Sequence, residues 1–210
     1  MNTVEGHERA SSPGKGDSPA NGGAEPAWRP EFYRGYLRTL AEVELGGRLR
    51  RRVDPSDIVQ ETLLSAHRAS ASPEVQELLG DERRTAAWLR RILANTLSNF
   101  LRDQRAARRD FRRDRSLEHA LGDSSSRIES LLANRGESPS SRAASAEQLC
   151  LVVAALDRLP EDQRYAILLQ RVADLPIAEV ARELGRSPDS VAGLIRRGLA
   201  RLRGSLDEER

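Results

Sequence analysis

Residues 176–203 read PIAEVARELGRSPDSVAGLIRRGLARLR, and this stretch decides the fold class. Apolar side chains recur at helical spacing on both sides of Gly185, where the chain must turn with a positive φ. Ser187 is a typical N-cap, and Pro188 suits the first helical position. We predict helices over 176–184 and 188–203, joined as in a helix-turn-helix. The alternative is an ordinary helical hairpin.

The rest of the chain is also predicted to be helical. Asp54 followed by Pro55 is a strong helix start, because aspartate caps the free amides and proline fits the first turn. Only 4% of the 210 residues are aromatic, which argues against a β-sandwich or barrel. The prediction is therefore an all-α protein. Its other expected helices cover 30–45, 54–69, 85–109, 146–157 and 161–172.

Changes in composition divide the chain into two small helical domains, expected over 28–115 and 145–207. Residues 1–27 are rich in Gly, Ser and Pro, and we predict a disordered N-terminal tail because few apolar groups are available to bury. Residues 116–144 contain GDSSS and GESPSS, separated by a short helical-looking piece over 128–133, and we predict a flexible linker with at most nascent structure there. For 73–84 we predict a loop with a short helix.

The net charge of +2 conceals two basic segments. Residues 83–115 carry a net charge of +8 and residues 187–203 a net charge of +3, so the remainder is acidic on balance. Thirty-three of the 34 basic residues are arginines, and Lys15 is the exception. Arginine binds phosphate through two parallel hydrogen bonds, so clusters of this density favour contact with nucleic acid.

The helix predicted over 85–109 has an apolar face and a basic face. The basic face is expected to hold Arg84, Arg91, Asn95, Ser98, Arg102 and Arg105. Its arginines could neutralise several phosphates, and Asn95 could contact the edge of a base. The alternative interpretation is a solvated charged helix.

In a helix-turn-helix the second helix enters the major groove of DNA. The side of 188–203 that does not pack, together with the cap, is therefore a candidate DNA-binding surface. It comprises Ser187, Asp189, Ser190, Ala192, Gly193, Arg196, Arg197 and Arg201.

A different surface is predicted on the helix over 54–69. Leu64 lies in the middle of an otherwise polar face, together with Asp57, Gln60, Glu61 and Arg68. An isolated exposed leucine is common. An apolar anchor ringed by polar groups is also typical of a protein docking site. The pattern alone leaves both interpretations open.

Other functional classes have little support in the sequence. We find no glycine-rich phosphate loop, nucleophile motif or metal-ligand cluster, so neither an enzyme nor a cofactor or metal is expected. Cys150 is the only cysteine and lies in an apolar run, which favours a buried thiol. No apolar stretch is long enough to insert in a membrane, and the N-terminal residues lack a signal-peptide core, so a cytoplasmic location is predicted.

Three segments in order resemble the bacterial extracytoplasmic-function (ECF) sigma factors. They are DPSDIVQETLLSAHRA, AAWLRRILANTLSNFLRDQR and LDRLPEDQRYAILLQRVADLPIAEVARELGRSPDSVAGLIRRGLARLR. The resemblance covers about 29–115 and 145–204. The stretches WLRRILAN and VAGLIRRGL are similar to those in sigma factors of planctomycete-like bacteria. It implies a sigma-2-like bundle, a sigma-4-like helix-turn-helix domain, and a polymerase subunit that directs promoter recognition, DNA melting and initiation.

The resemblance also implies partners for the three surfaces. The helix over 54–69 would dock on the β′ clamp coiled coil of core RNA polymerase, and the sigma-4-like domain would lie at the β flap. The helix segment 85–105 would bind the −10 element and help to melt it, with Asn95 at the family's usual asparagine position. The helix-turn-helix would bind the −35 element. An anti-sigma factor is a further candidate partner, and polymerase would bring the chain to the nucleoid.

Three positions depart from the family pattern. Asn99 stands where many relatives have an acidic residue. Ala192 and Gly193 stand where relatives often have polar side chains, so we expect −35 recognition to depend on Arg196, Arg197, backbone contacts and the shape of the DNA. The alternative function is a free-standing helix-turn-helix regulator that does not bind polymerase. That alternative leaves the surface around Leu64 and the basic helix unexplained.

Overall fold

The computed structural model describes residues 29–50, 53–103, 111–133 and 146–208. These residues form helices and no strands, which confirms the all-α prediction. The helices are α1 (Pro30–Arg50), α2 (Pro55–Ala69), α3 (Pro73–Leu79), α4 (Glu82–Asp103), α5 (Phe111–Ala133), α6 (Ala146–Asp157), α7 (Glu161–Ile167), α8 (Ile177–Leu184) and α9 (Pro188–Glu208). The predicted tail 1–27 lies outside the described residues.

Local signals place most helix boundaries. The Asp54 carboxylate accepts a hydrogen bond from the Ser56 amide at 2.8 Å, which begins α2 as predicted. Gly46 has φ 58° and ψ 173°, so helical geometry is interrupted where α1 was expected to end, although α1 continues to Arg50. The Asp81 carboxylate accepts from the amides of Arg83 and Arg84, and α4 therefore begins before residue 85. α9 extends beyond residue 203 to Glu208.

α7 is continued by one π-helical stretch, Leu168–Val172. Together they cover the helix predicted over 161–172. α3 is the short helix expected within 73–84, and the Ser72 hydroxyl caps it by accepting from the Val75 amide at 3.4 Å.

The prediction of a flexible linker is wrong for residues 116–133, which belong to α5. Four apolar side chains of this segment are buried at helical spacing: Leu117, Leu121, Ile128 and Leu131. Between them, Ser124 and Ser125 are also buried. The serines made the segment resemble a loop, but Ser125 has a hydrogen-bond partner on α1, so its burial is tolerated. Residues 134–144 of the predicted linker lie outside the described residues.

The two predicted domains share one hydrophobic core. A single cluster joins side chains of α1, α2, α4 and α5, such as Leu40 and Leu93, to side chains of α6, α7 and α9, such as Leu156 and Leu202. A second cluster, including Val180, Val191 and Ile195, lies between α7, α8 and α9. α5 packs on α4 and α6 and thus lies at the junction.

Candidate nucleic-acid interface

The turn between α8 and α9 has the geometry predicted for a helix-turn-helix. Gly185 adopts φ 62° and ψ 35°, a left-handed conformation that glycine accepts without steric cost. The Arg186 amide then donates to the Ala181 carbonyl at 3.0 Å and closes the end of α8. The Ser187 hydroxyl accepts from the Ser190 amide at 3.2 Å and begins α9. Local contacts therefore end α8 and begin α9.

The residues predicted to bind the −35 element form one surface of α9, which we call the α9 face. Ser187, Asp189, Ala192, Arg196, Arg197 and Arg201 are exposed, and Ser190 and Gly193 are partly buried. The opposite side of α9 is buried through Val191, Leu194, Ile195 and Leu202. Small side chains lie near the beginning of the α9 face, and the Arg197 guanidinium lies beside Gly193, with a terminal nitrogen 3.2 Å from where a Cβ of that glycine would be.

Gly198 lies on the packed side of α9 and permits a close approach to α7. A Cβ atom at this position would lie 2.7 Å from Ile167 Cδ1 and 3.2 Å from Gln163 Cβ. Separations under 3.0 Å require a neighbour to move, so glycine sets the α7–α9 distance.

Sequence reasoning missed two arginines beside the α9 face. A cleft of about 360 Å³ elsewhere has Glu44, Asp123 and Glu183 beside Arg127 in its lining. The cleft of about 330 Å³ at α9 is lined by Arg171, Arg196 and Arg203 and by no carboxylate. Ile177 and Leu199 form part of its wall. Arg203 follows Arg196 by two helical turns, and this spacing predicts that both side chains lie on the same side of α9. Arg171 comes from the π-helical stretch, and only the tertiary structure brings it here.

The basic surface of α4 is narrower than predicted. Arg84, Arg91 and Asn95 are exposed and Arg102 is partly buried, and we call these four residues the α4 stripe. Ser98 was expected among them, but only 6% of it is exposed. The reason is its position on the helix, because Ser98 shares a flank with buried Ala94 and partly buried Leu101. Arg105 lies outside the described residues.

A buried polar network orients α4. Arg90 donates to the Tyr36 hydroxyl oxygen at 2.8 Å, and that hydroxyl donates to Ser125 Oγ, also at 2.8 Å. Glu129 Oε1 lies 3.5 Å from Ser125 Oγ. Burial raises the pKa of Tyr36 and of Glu129, which keeps the phenol neutral at physiological pH. Since Arg90 points inward, its neighbour Arg91 faces solvent.

The exposed arginines differ from the others in their pairing. Several surface arginines have carboxylate partners, including Arg34 with Glu31 and Arg182 with Glu179. By contrast, no described residue forms an ion pair with Arg84, Arg91, Arg196, Arg197 or Arg201. Their guanidinium groups are available for an external anion, and phosphate suits their planar fork.

The polar face of α2 is exposed as predicted. Asp57, Gln60, Glu61 and Arg68 are all exposed, and 44% of Leu64 is accessible. Ile58, Val59 and Leu63 are buried on the other side. Burying the exposed part of Leu64 against a partner would be favourable, because its apolar surface would leave water.

Other kinds of site find no support in the described parts of the chain. No cluster of three potential metal ligands occurs among those residues, and none of their helices is long and apolar enough to cross a membrane. Burial raises the pKa of the Cys150 thiol to about 12, and its Sγ lies 3.0 Å from the Phe32 carbonyl oxygen. This thiol therefore stays protonated.

These features define a helix-turn-helix domain with a basic recognition surface. Residues 151–202 match the family model described as sigma-70, region 4, a range that runs from α6 to α9. This part of the chain is similar to region 4 of sigma-70 factors, and the match supports a sigma factor that binds DNA. No curated protein and no solved structure matches the chain.

Proposed function

We propose that the chain is an RNA polymerase sigma factor of the ECF class, of planctomycete-like type, that directs promoter recognition and initiation. The observation that carries the proposal is the combination of surfaces on one chain. A region 4 domain with unpaired arginines is joined to a second unpaired basic helix and to an exposed apolar anchor. The protein acts as a subunit of polymerase in the cytoplasm and catalyses no reaction of its own.

The α9 face binds the −35 element in the major groove. Arg196, Arg197 and Arg201 provide cationic contacts, and the small Ala192 and Gly193 permit close approach of the backbone. With few side chains for base edges, specificity comes largely from the shape and deformability of the DNA. Arg171 and Arg203 extend the contact along the phosphate backbone.

Duplex binding at several salt concentrations tests these assignments. Arg171→Ala and Arg203→Ala should each weaken binding about equally for all sequences and reduce the slope of log K against log salt by about 1. Arg182→Ala is the matched control, because Arg182 is exposed but paired with Glu179. An unchanged slope in both variants would remove the two arginines from the interface.

The α4 stripe contacts the −10 element. Arg84, Arg91 and Arg102 bind phosphates, and Asn95 contacts a base of the non-template strand. Capture of an unstacked base lowers the free energy cost of melting the duplex. The inward hydrogen bonds of Arg90 support this role, because they hold the stripe toward solvent.

α2 docks on the β′ clamp coiled coil of core polymerase, with Leu64 as the apolar anchor and Asp57, Gln60, Glu61 and Arg68 around it. The region 4 domain lies at the β flap, and an anti-sigma factor is a further proposed partner. Charged and polar groups around an apolar anchor determine which partner binds and exclude water from the anchor's contact.

Transcription in vitro with core polymerase tests the function as a whole. Addition of the protein should allow initiation from a cognate promoter. Leu64→Arg should abolish core binding, since it places a charge in the apolar contact. Leu151→Arg is the matched control, because 40% of Leu151 is exposed on a different helix. Equal core binding by both variants would reject the docking face.

A free-standing DNA-binding regulator is the second candidate. It is favoured by the extent of the family match, which includes the helix-turn-helix but not α1 to α5. Pull-down with core polymerase separates the two functions. A regulator would bind duplex DNA through the α9 face but would not be retained by core polymerase.

A further inference from the structure

The cleft of about 330 Å³ beside α9, which we call the α9 cleft, combines positive charge with an exposed apolar side chain. Arg171, Arg196 and Arg203 are exposed around it, and 40% of Ile177 is accessible in its wall. The phosphates of a DNA duplex would neutralise the arginines but would leave Ile177 without an apolar contact. A protein surface that carries an apolar side chain beside carboxylates would contact both kinds of group.

The polar face of α2 has the opposite combination of groups. Asp57, Glu61, Leu64 and Arg68 succeed one another at intervals of four, three and four residues, so they form one row along the helix, which we call the α2 row. Leu64 is 44% accessible. Within the described part of the chain, neither Asp57 nor Glu61 forms an ion pair. Two carboxylates and a leucine therefore face solvent together.

A row of similar spacing lies on α9, and the charges at its two ends are reversed. Arg196, Leu199, Arg203 and Asp207 form this α9 row, and the first three of them also line the α9 cleft. In each row the first and last residues are 11 positions apart, which is about 16 Å along a helix. Asp57 begins the α2 row where Arg196 begins the α9 row, and Arg68 ends the α2 row where Asp207 ends the α9 row. Parallel helices would therefore pair opposite charges at both ends, whereas antiparallel helices would place like charges together.

The middle of the two rows is compatible with packing in the parallel orientation. Leu64 would lie about one helical turn further along than Leu199, and Glu61 about one turn before Arg203. Apolar side chains that are offset in this way interdigitate between helices. Long charged side chains reach across such an offset, so Glu61 and Arg203 can pair beside the apolar contact.

The two rows do not cover each other within one chain. α2 packs on α1 and α4, whereas the α9 cleft is built from the π-helical stretch, the beginning of α8, and α9. Leu64 and Ile177 both remain exposed in the folded chain. Complementary surfaces at different places on one molecule can contact each other only between copies, as in a head-to-tail association.

We propose that the α9 cleft binds a second copy of this chain, whose α2 row docks in it. Asp57 pairs with Arg196, Glu61 pairs with Arg203, and Leu64 packs against Leu199 and Ile177. The contact is small, so the association is weak and reversible. The self-association does not depend on the proposed sigma-factor function. Its consequence does, because associated copies would cover surfaces proposed for polymerase and for the −35 element.

Sedimentation of the full chain without polymerase or DNA tests the contact. The weight-average mass should increase with protein concentration at low salt. It should decrease again when salt is added, because exposed ion pairs are screened. A mass equal to that of a single chain at every concentration would overturn the proposal.

Charge reversal on each side of the contact distinguishes it from other modes of association. Glu61→Arg and Arg203→Glu should each weaken self-association at least tenfold. Glu77→Arg is the matched control, because Glu77 is an exposed carboxylate on α3 and the change in net charge is the same as for Glu61→Arg. Circular dichroism checks that all three variants stay helical. Equal association by Glu61→Arg and Glu77→Arg would overturn the proposal.

A mixture of the two interface variants provides the sharpest measurement. The Arg203→Glu protein keeps the natural α2 row, and the Glu61→Arg protein keeps the natural α9 cleft. An equimolar mixture should therefore associate within about twofold of the wild type, although neither variant does so alone. A mixture that associates no better than its components would overturn the proposal. Failure of the wild type to initiate with core polymerase would instead reject the proposed function and leave the self-association unaffected.

Discussion

The two arginine-bearing helices, α4 and α9, are held in place by different kinds of contact. α4 is oriented by a buried hydrogen-bond network that runs from Arg90 through Tyr36 to α5. α9 is oriented by apolar packing and by the close approach at Gly198. Their outer surfaces differ as well, since the α4 stripe has Asn95 among its arginines and the α9 face has Ala192 and Gly193. We therefore expect base contacts from α4, but mainly phosphate and shape recognition from α9.

The largest expected effect is on the α9 face. The double variant Arg196→Ala, Arg197→Ala should weaken binding to a −35 duplex about 100-fold, or about 3 kcal/mol, because two cationic contacts are lost. Fluorescence anisotropy at fixed salt measures this. Because phosphate and shape recognition dominate here, we expect the loss to be similar for altered −35 sequences. Unchanged affinity for every duplex would contradict the assignment of these arginines to the interface.

Asn95→Ala should produce the next largest effect and a different pattern. Binding of the holoenzyme to the preferred non-template strand should weaken about tenfold, and discrimination between bases should decrease, since one base contact costs about 1–3 kcal/mol. Arg91→Ala is the comparison variant and should weaken all single strands alike. If Asn95→Ala also acted uniformly on all sequences, the proposed difference between the two helices would be lost.

Gly198→Ala tests how α9 is anchored. The added methyl group meets Ile167 and Gln163, so we expect a loss of about 1–2 kcal/mol in the free energy of unfolding. Gly204→Ala is the control on the same helix, because no atom lies within 4 Å of its Cβ position. It should stabilise by about 0.5–1 kcal/mol through helix propensity. Urea titrations that gave the same sign for both variants would refute close packing at Gly198.

Tyr36→Phe tests the network that holds α4. Removal of the hydroxyl leaves Arg90 and Ser125 without one hydrogen-bond partner each, and we expect a loss of about 1–2 kcal/mol. Ser126→Ala is the comparison, because the exposed Ser126 hydroxyl donates to the Gly122 carbonyl within α5. In the same urea titrations, equal losses in the two variants would argue against a special role for the network.

The smallest effect concerns the N-caps of α4 and α9, of which only the α4 cap is a titratable group. Backbone hydrogen bonds from Arg84 and Arg83 lower the pKa of Asp81, so the cap of α4 stabilises above the carboxyl's ordinary pKa and weakens as pH falls. Ser187 caps α9 and does not titrate. Melting temperatures from pH 7 to pH 3 should therefore fall slightly more for the wild type than for Asp81→Asn. Parallel curves for the two proteins would reject this role of Asp81.

The α8–α9 turn was predictable because its determinants are close together in the sequence. Gly185, Ser187 and Pro188 act on their own backbone, and the apolar spacing of α9 identifies its buried side. α2 was predictable for the same reason, through Asp54 and the isolated Leu64 on its polar face. The exposed surfaces of α2 and α9 are therefore predictable from local sequence, whereas Arg171 and Arg203 beside the α9 face were missed.

Burial by distant partners explains what sequence reasoning missed. The serines of 116–133 predict a linker there, yet Tyr36, 89 residues from Ser125, provides the hydrogen-bond partner that lets this part of α5 pack. Ser98 was assigned to the basic surface because a helical wheel does not show how wide the buried face becomes. No local pattern distinguishes Arg90 or Arg164 from the exposed arginines of the chain, although both point inward.

The sequence by itself determined the helices with strong local caps, the helix-turn-helix and the two concentrations of arginine. It could do so because capping, turn conformation and apolar periodicity act over a few residues. Only the tertiary structure decided which arginines face inward, that α5 is a helix and that both halves share one core. Those outcomes depend on contacts such as Glu42 with Arg164, whose partners are far apart in the chain, so no local pattern specifies them.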